Sequence, residues 1–220
     1  MNVISGIVPT PRRPGRFDLL VDGQSAATLS LEALERLGLS VGQSVTGLEA
    51  ALADETARLG SYDRALNMLA FRARSASELA RLLVRKGEDP AHVTWTVDRL
   101  KAHGLLDDAA FARSFTRSKV LGAGQSRRRV GQDLSRKGVA RDVSDAAIRA
   151  VFEDEQVDQA SLVQDVARKK LRSLMKLEPT VRRRRLYAFL ARRGYDADDI
   201  RKAMTAVCEI MRGGGDETEG

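Results

Sequence analysis

One nine-residue ending occurs three times in this chain and constrains its fold more than any other feature. LARLLVRKG closes at Gly87, VGQDLSRKG at Gly138 and LYAFLARRG at Gly194, at intervals of 51 and 56 residues. Eight residues before each glycine stand Leu79, Val130 and Leu186, and four before stand Leu83, Leu134 and Leu190. The match runs forward too: Val97, Ile148 and Met204 lie ten residues after, and Leu100, Val151 and Val207 thirteen after. Spacings of three and four keep side chains on one helical face, so each repeat has a helix ending at the glycine and another following it. The glycine itself suits a left-handed C-terminal cap. A repeated helical unit of this size buries its core mainly against its neighbours. The expected fold is therefore mainly α: tandem three-helix repeats in an elongated stack, preceded by a small N-terminal α+β module.

The middle repeat supplies the template. Asp107 and Asp108 suit the start of its first helix, Phe111, Ala112 and Phe115 share a face, and Gly122 and Gly124 break the helix before Val130 and Leu134. Ser75 and Glu78 form an S-x-x-E capping box in the first repeat. Upstream, residues 3–8, 16–21 and the SAATL segment read as strands, with Asp22-Gly23 as a hairpin turn. Ser30 opens a short helix stopped by Gly38, and this module reads as a docking or folding cap for the helices behind it. The boundaries expected are 1–45 for the module, 46–60 for a connecting helix ending at Gly60-Ser61, then 61–107, 108–154 and 155–212 for the repeats. A disordered acidic tail is expected over 213–220.

Charge is unevenly placed. Residues 1–60 carry a net charge of −2, whereas residues 61–212 hold 32 basic and 20 acidic side chains, a net +12. The basic character belongs to the repeats and points to a polyanionic partner. Two sets of cations stand out. Arg85-Lys86, Arg136-Lys137 and Arg192-Arg193 precede the three glycines, where they either complement the helix dipole or contact nucleic acid. Arg127, Arg128 and Arg129, and Arg182, Arg183, Arg184 and Arg185, fall instead at helix starts. There they oppose the dipole and repel one another, so local helix stability does not account for them, whereas nucleic-acid phosphates would. Lys169, Lys170 and Arg172 extend that surface. Repeats two and three are expected to contact nucleic acid, and repeat one to be the least engaged.

Other chemistries fare poorly. The two histidines, His92 and His103, and the one cysteine, Cys208, give no zinc spacing, and no P-loop, nucleophile elbow or dinucleotide fingerprint occurs. Cys208 falls on an apolar helical face, and a lone cysteine allows no disulfide framework within the chain and fits a reducing cytoplasm. No run approaches the length of a membrane span, and no signal peptide is read. Trp95, with Phe71 and Tyr62, reads as core rather than as a base-stacking platform.

The motif L-x-x-R-x-R-S-x-x-E-L from Leu69 to Leu79, the KG at 86–87, GLLDDAAFARSF from Gly104 and the KGV at 137–139 together resemble the RecX family of bacterial recombination regulators. RFDLLVDGQ and LERLGLSVGQ resemble the extension of its longer members. The resemblance implies three three-helix repeats, no catalytic activity and no cofactor. It implies a partner, the RecA recombinase filament on single-stranded DNA, whose growth, ATP hydrolysis and strand exchange the family restrains from the filament groove. Direct contact with single-stranded DNA, extending to double-stranded DNA, belongs to the same expectation, as does a monomer that needs no membrane. An alternative of a different class is a stand-alone basic helical-repeat DNA-binding protein that affects recombination indirectly.

Overall fold

The computed structural model describes residues 2–11 and 13–213. Two compact units divide the chain: Met1–Arg74 with Glu78–Leu106, and Ser75–Ser77 with everything from Asp107 onward. It is mainly α, with tandem three-helix repeats and one small sheet.

In the first unit, strands β1 (Ile4–Pro9), β2 (Arg16–Val21) and β3 (Gln24–Ser30) form an antiparallel sheet in sequence order. Asp22 and Gly23, at φ 49° and 83°, make the two-residue turn between β2 and β3, the positive pair that matches strand twist. Helix α1 (Leu31–Leu37) follows, its Ser30 N-cap accepting from the Ala33 N–H at 3.1 Å. Ile4, Leu19 and Leu29 from the sheet bury themselves with Ala33, Leu39, Val45 and Leu52. The last of these belongs to α2 (Glu49–Phe71), which ties the sheet to the helices of repeat one. Polar contacts reinforce that tie: Arg13 and Arg16 reach Asp63 at 3.0 and 3.2 Å, and buried Glu55 takes Arg36 and Arg58. Helices α3 (Ala76–Arg85) and α4 (Pro90–Ala102) complete the first repeat.

The expected break at Gly60-Ser61 is absent, and with it a separate connecting helix over 46–60. Helix α2 runs straight through, because a glycine in a helix interior costs only about 1 kcal/mol, while Leu52, Leu59 and Ala65 along the same helix are buried. Phe71 is corrected as well. Tyr62 and Trp95 meet edge to face at 6.0 Å, but Phe71, at the last position of α2, is 85% exposed.

The second unit contains α5 (Asp108–Arg117), a π-helical turn (Ser118–Gly122), α6 (Arg127–Arg136) and α7 (Arg141–Asp154) in repeat two. Repeat three contains α8 (Gln159–Arg172), α9 (Pro179–Arg192) and α10 (Ala197–Gly213). Asp107 caps α5 by accepting from Ala109 and Ala110, whereas Asp108 turns elsewhere and accepts from the Ala76 N–H at 2.8 Å. Each repeat has its own core: Phe111, Val130, Leu134 and Ile148 in one, Leu171, Leu186, Leu190 and Val207 in the other. Cys208 is exposed, contrary to the sequence reading, because the buried stripe of α10 is Ile200, Ala203, Met204 and Val207. Helix α10 continues to Gly213, one residue into the segment expected to be a tail, and residues 214–220 lie outside the described residues.

Candidate nucleic-acid interface

The two arginine-rich helix starts have the same sequence character and differ in their partners within the chain. Helix α6 begins at Ser126, whose hydroxyl accepts from the Arg129 N–H at 3.3 Å. The Ser126 N–H donates to the Arg193 carbonyl at 3.0 Å, so the end of α9 is seated on the start of α6. Exposed carbonyls at a helix C-terminus carry partial negative charge. That charge meets the arginines of α6 and offsets the repulsion that its own N-terminus would impose. Arg128 Nε donates to the Gly194 carbonyl at 3.1 Å, Arg193 Nε to the Ala123 carbonyl at 2.8 Å, and the buried Tyr195 hydroxyl to the Gly124 carbonyl at 3.0 Å. Arg127 lies over the Phe152 ring at 4.0 Å, and Arg129 pairs with Asp133 at 3.2 Å. Arg127, Arg128 and Arg129 thus have partners within the chain, while the Arg127 and Arg128 side chains stay exposed.

The cations before the glycines are also partly engaged. Arg136 pairs with Asp133 at 2.8 Å, and Lys137 lies 5.7 and 5.4 Å from the rings of Phe111 and Phe115. The Ser75 hydroxyl donates to the Lys137 carbonyl, twelve residues before its own repeat glycine as Ser126 is before Gly138. Arg193 and Lys170 contact Phe189 at 3.9 and 5.3 Å, beside an open cleft of about 370 Å³ that Lys169 also lines. Burial is the main influence lowering the Arg193 pKa. Arg192 is exposed.

Helix α9 begins differently. Glu178 occupies its N-cap position without a side-chain cap, and Pro179 takes the first helical position. Where the other repeats have Ser75 and Ser126, repeat three has Arg182, whose guanidinium donates to the Met175 carbonyl at 3.4 Å. Arg183, Arg184 and Arg185 are exposed, and among the described residues none has a hydrogen-bond or ion-pair partner. Lys169, Lys170 and Arg172 occupy the last turn of α8, across the short connection over 173–178 from this start. Lys169, Lys170 and Arg172 thus stand before one short connection and Arg182–Arg185 after it, whereas Arg192 and Arg193 lie at the other end of α9 and Arg127–Arg129 beside that end.

A further basic cluster, absent from the sequence reading, lies in the first unit: Arg72, Arg74, Arg81 and Arg85 around Glu78. Its signal in the sequence is the spacing of 78, 81 and 85, which shares one face of α3. Among the described residues no cluster of three His, Cys, Asp or Glu could hold a metal ion, and no helix is long and apolar enough to cross a membrane.

The α6–α9 junction has a pH signature. Burial, the largest influence, pushes the Tyr195 phenol up to about 12, from an ordinary value of 10.0. A phenol ionising at higher pH in the folded state gives stability that is intact below pH 10 and lost as pH rises towards 12. Thermal melts between pH 8 and 11 should therefore fall more steeply for the parent than for Tyr195→Phe. Equal slopes would mean that this phenol does not couple to folding.

Comparison with known proteins gives one family throughout. Models of the first, second and third three-helix domains of RecX match residues 62–100, 107–148 and 157–204. Regulatory protein RecX of Halorhodospira halophila is 38% identical over 163 residues, covering 73% of this chain and 94% of the relative. Its counterpart from Chlorobaculum tepidum is 33% identical over 154 residues, 70% of this chain and 92% of the relative. A crystal structure of a regulatory protein RecX superposes with a TM-score of 0.73 at 22% identity, over 93% of this chain and all of that one. RecX from Lactobacillus salivarius gives a TM-score of 0.56 at 19% identity, over 71% of this chain and 98% of that one. At these identities the superpositions bear on the fold alone.

Proposed function

The chain belongs to the RecX family of regulatory proteins, and from that premise we propose that it restrains the RecA recombinase. In this reading it binds in the groove of the RecA filament on single-stranded DNA and limits filament growth, ATP hydrolysis and strand exchange. It acts as a monomer in the cytoplasm, uses no cofactor and makes or breaks no covalent bond.

The observation that carries the reading is the open start of α9. In repeat two, the equivalent helix start meets the end of α9 through the Ser126 N–H and the Arg193 carbonyl. At the start of α9, by contrast, Arg183, Arg184 and Arg185 are exposed without hydrogen-bond or ion-pair partners among the described residues. Unpaired guanidinium groups at the positive end of a helix suit phosphates of the filament's DNA or acidic side chains of its protein, and they speed encounter with either. The remaining basic side chains, Lys169, Arg172 and Arg192, add long-range attraction that salt weakens.

Titration into RecA, ATP and single-stranded DNA tests this directly. ATP turnover and filament length should fall as the protein approaches saturation. Unchanged turnover and length at saturation would remove the regulator reading. The same basic surface supports a second reading, a stand-alone DNA-binding protein. Binding to naked DNA that is tighter than binding to the filament would favour it.

A further inference from the structure

Helices α8 and α10 run in the same direction, and that places an acidic stretch of sequence beside a basic one. Gln159, the first residue of α8, donates through Nε2 to Asp199 in the first turn of α10 at 3.2 Å. Val163, Ala167 and Leu171 then share one core with Ala203, Met204 and Val207. Thirteen residues on from Gln159, α8 ends at Arg172, and thirteen on from Asp199, α10 reaches Arg212, next to its last residue, Gly213. With the same rise per residue, the two helices end level. The sequence GGDETEG, residues 214–220, therefore begins beside the last turn of α8.

That last turn lacks counter-charge. Residues 169–176 hold four cations, Lys169, Lys170, Arg172 and Lys176, and no acid. Lys169, Arg172 and Lys176 are exposed, and among the described residues none of these side chains has a hydrogen-bond or ion-pair partner. Asp165, one turn earlier, is paired with Arg168 at 2.8 Å. Glu178, at the N-cap position of α9, has no ion pair among the described residues. Cations suit the end of a helix, but neighbours of like sign repel one another. Asp216, Glu217 and Glu219 carry three negative charges and no positive one accompanies them in 214–220. Reach is sufficient. Asp216 is three residues beyond Gly213 and Glu219 six, about 10 and 20 Å of extended chain, against about 8 to 10 Å between the axes of packed helices. Gly214 and Gly215 accept either sign of φ, which lets the chain reverse towards α8.

We propose that Asp216, Glu217 and Glu219 dock on Lys169, Arg172 and Lys176 of the same chain, as an intramolecular counter-charge that a polyanionic partner must displace. Each exposed ion pair is weak, but a short tether gives the segment an effective concentration of about millimolar. The arginines of α9 stay open, so the device damps the attraction of this end of repeat three without closing it. The docking itself needs no partner. Its effect on partner binding rests on the filament reading, in which this end makes contact.

Zero-length carbodiimide coupling of the full chain, followed by trypsin and mass spectrometry, tests the docking without any ligand. The reagent joins a carboxylate to an amine in contact with it, and cleavage after Arg212 separates peptide 213–220 from Glu209. In the monomer band, that peptide should be joined to Lys169 or Lys176 in preference to Lys119, Lys137 and Lys202. Arg172→Gln removes a charge without removing an amine, and should lower the yield several-fold. Coupling spread evenly over the lysines, coupling only between two copies, or a yield indifferent to Arg172→Gln overturns the proposal. The consequence is read by anisotropy with a fluorescent oligo-thymidine over a range of salt. Asp216→Asn/Glu217→Gln/Glu219→Gln should bind about three- to tenfold more tightly at low salt, with a log–log slope steeper by about 2, because three more cations then release counter-ions, about 0.7 each. In a chain carrying Lys169→Gln/Arg172→Gln/Lys176→Gln, the same three changes should have little effect. Asp142→Asn/Glu153→Gln/Asp154→Asn removes three exposed acids of α7 as a charge-matched control. An equal gain from that control would make the effect one of net charge and overturn the displacement. Coupling as expected with unchanged oligo-thymidine binding would leave the docking standing and overturn the contact of this end with a polyanion.

Discussion

Gly194→Ala should destabilise the second unit by about 3 kcal/mol, whereas Gly87→Ala should cost the first unit roughly 1 to 2 kcal/mol. Both glycines have φ of +88° and both end the recurring motif, so the backbone strain imposed by a methyl group is the same. Their surroundings differ. A Cβ at Gly87 meets nothing within 4 Å, but one at Gly194 would stand 2.5 Å from Arg129 Cβ and 2.7 Å from Ser126 Oγ, with Arg129 Cα at 3.2 Å. The first two contacts are impossible and the third involves backbone, so α6 and α9 would have to separate. Separation would also lengthen the bonds from Ser126 N–H to Arg193 and from Arg128 to Gly194. Urea denaturation of each variant measures the difference. If the two substitutions lower the midpoint equally, the end of α9 does not seat on α6 in solution.

That junction also shows where sequence reading reaches its limit. Leu79, Val130, Leu186, Leu83, Leu134 and Leu190 are all buried, because an apolar period of four on a helix has few other uses. The hairpin at Asp22-Gly23 was equally legible, since few residue pairs tolerate its two positive φ angles. A helix passing through Gly60 was not, because the glycine is conspicuous in the sequence while the burial that outweighs it comes from tertiary packing. The internal partners of the α6 arginines are hidden in the sequence for a related reason: local charge speaks only of their own helix, whereas Arg128 finds its acceptor 66 residues away. One signal could have separated the two arginine sets beforehand. Ser75 and Ser126 stand twelve residues before their glycines, a small side chain that lets another backbone approach, and the third repeat has Arg182 there instead. Apolarity points Phe71 to a core, but at the last position of α2 its side chain is left exposed.

Replacing Arg183, Arg184 and Arg185 together by Gln should reduce binding and leave folding intact, and Arg128→Gln should do the reverse. For the triple variant, loss of three phosphate contacts would flatten the salt slope for single-stranded DNA by about 2. Its melting temperature should hold or rise, because three cations that oppose the α9 dipole and repel one another are removed. Its restraint of RecA ATP turnover should weaken in parallel if the same surface meets the filament. Arg128→Gln removes a charged donor from the Gly194 carbonyl and should cost the second unit about 1 to 2 kcal/mol. Because Arg128 already has that partner, its salt slope should change by less than the roughly 0.7 expected of one phosphate contact. The comparison turns on the two slopes measured beside the two melting temperatures. A triple variant that binds and restrains like the parent would show that the open start of α9 is solvated surface. A larger slope change from Arg128→Gln than from the triple variant would move the contact surface to α6, and the junction described here would then have to open for DNA to reach it.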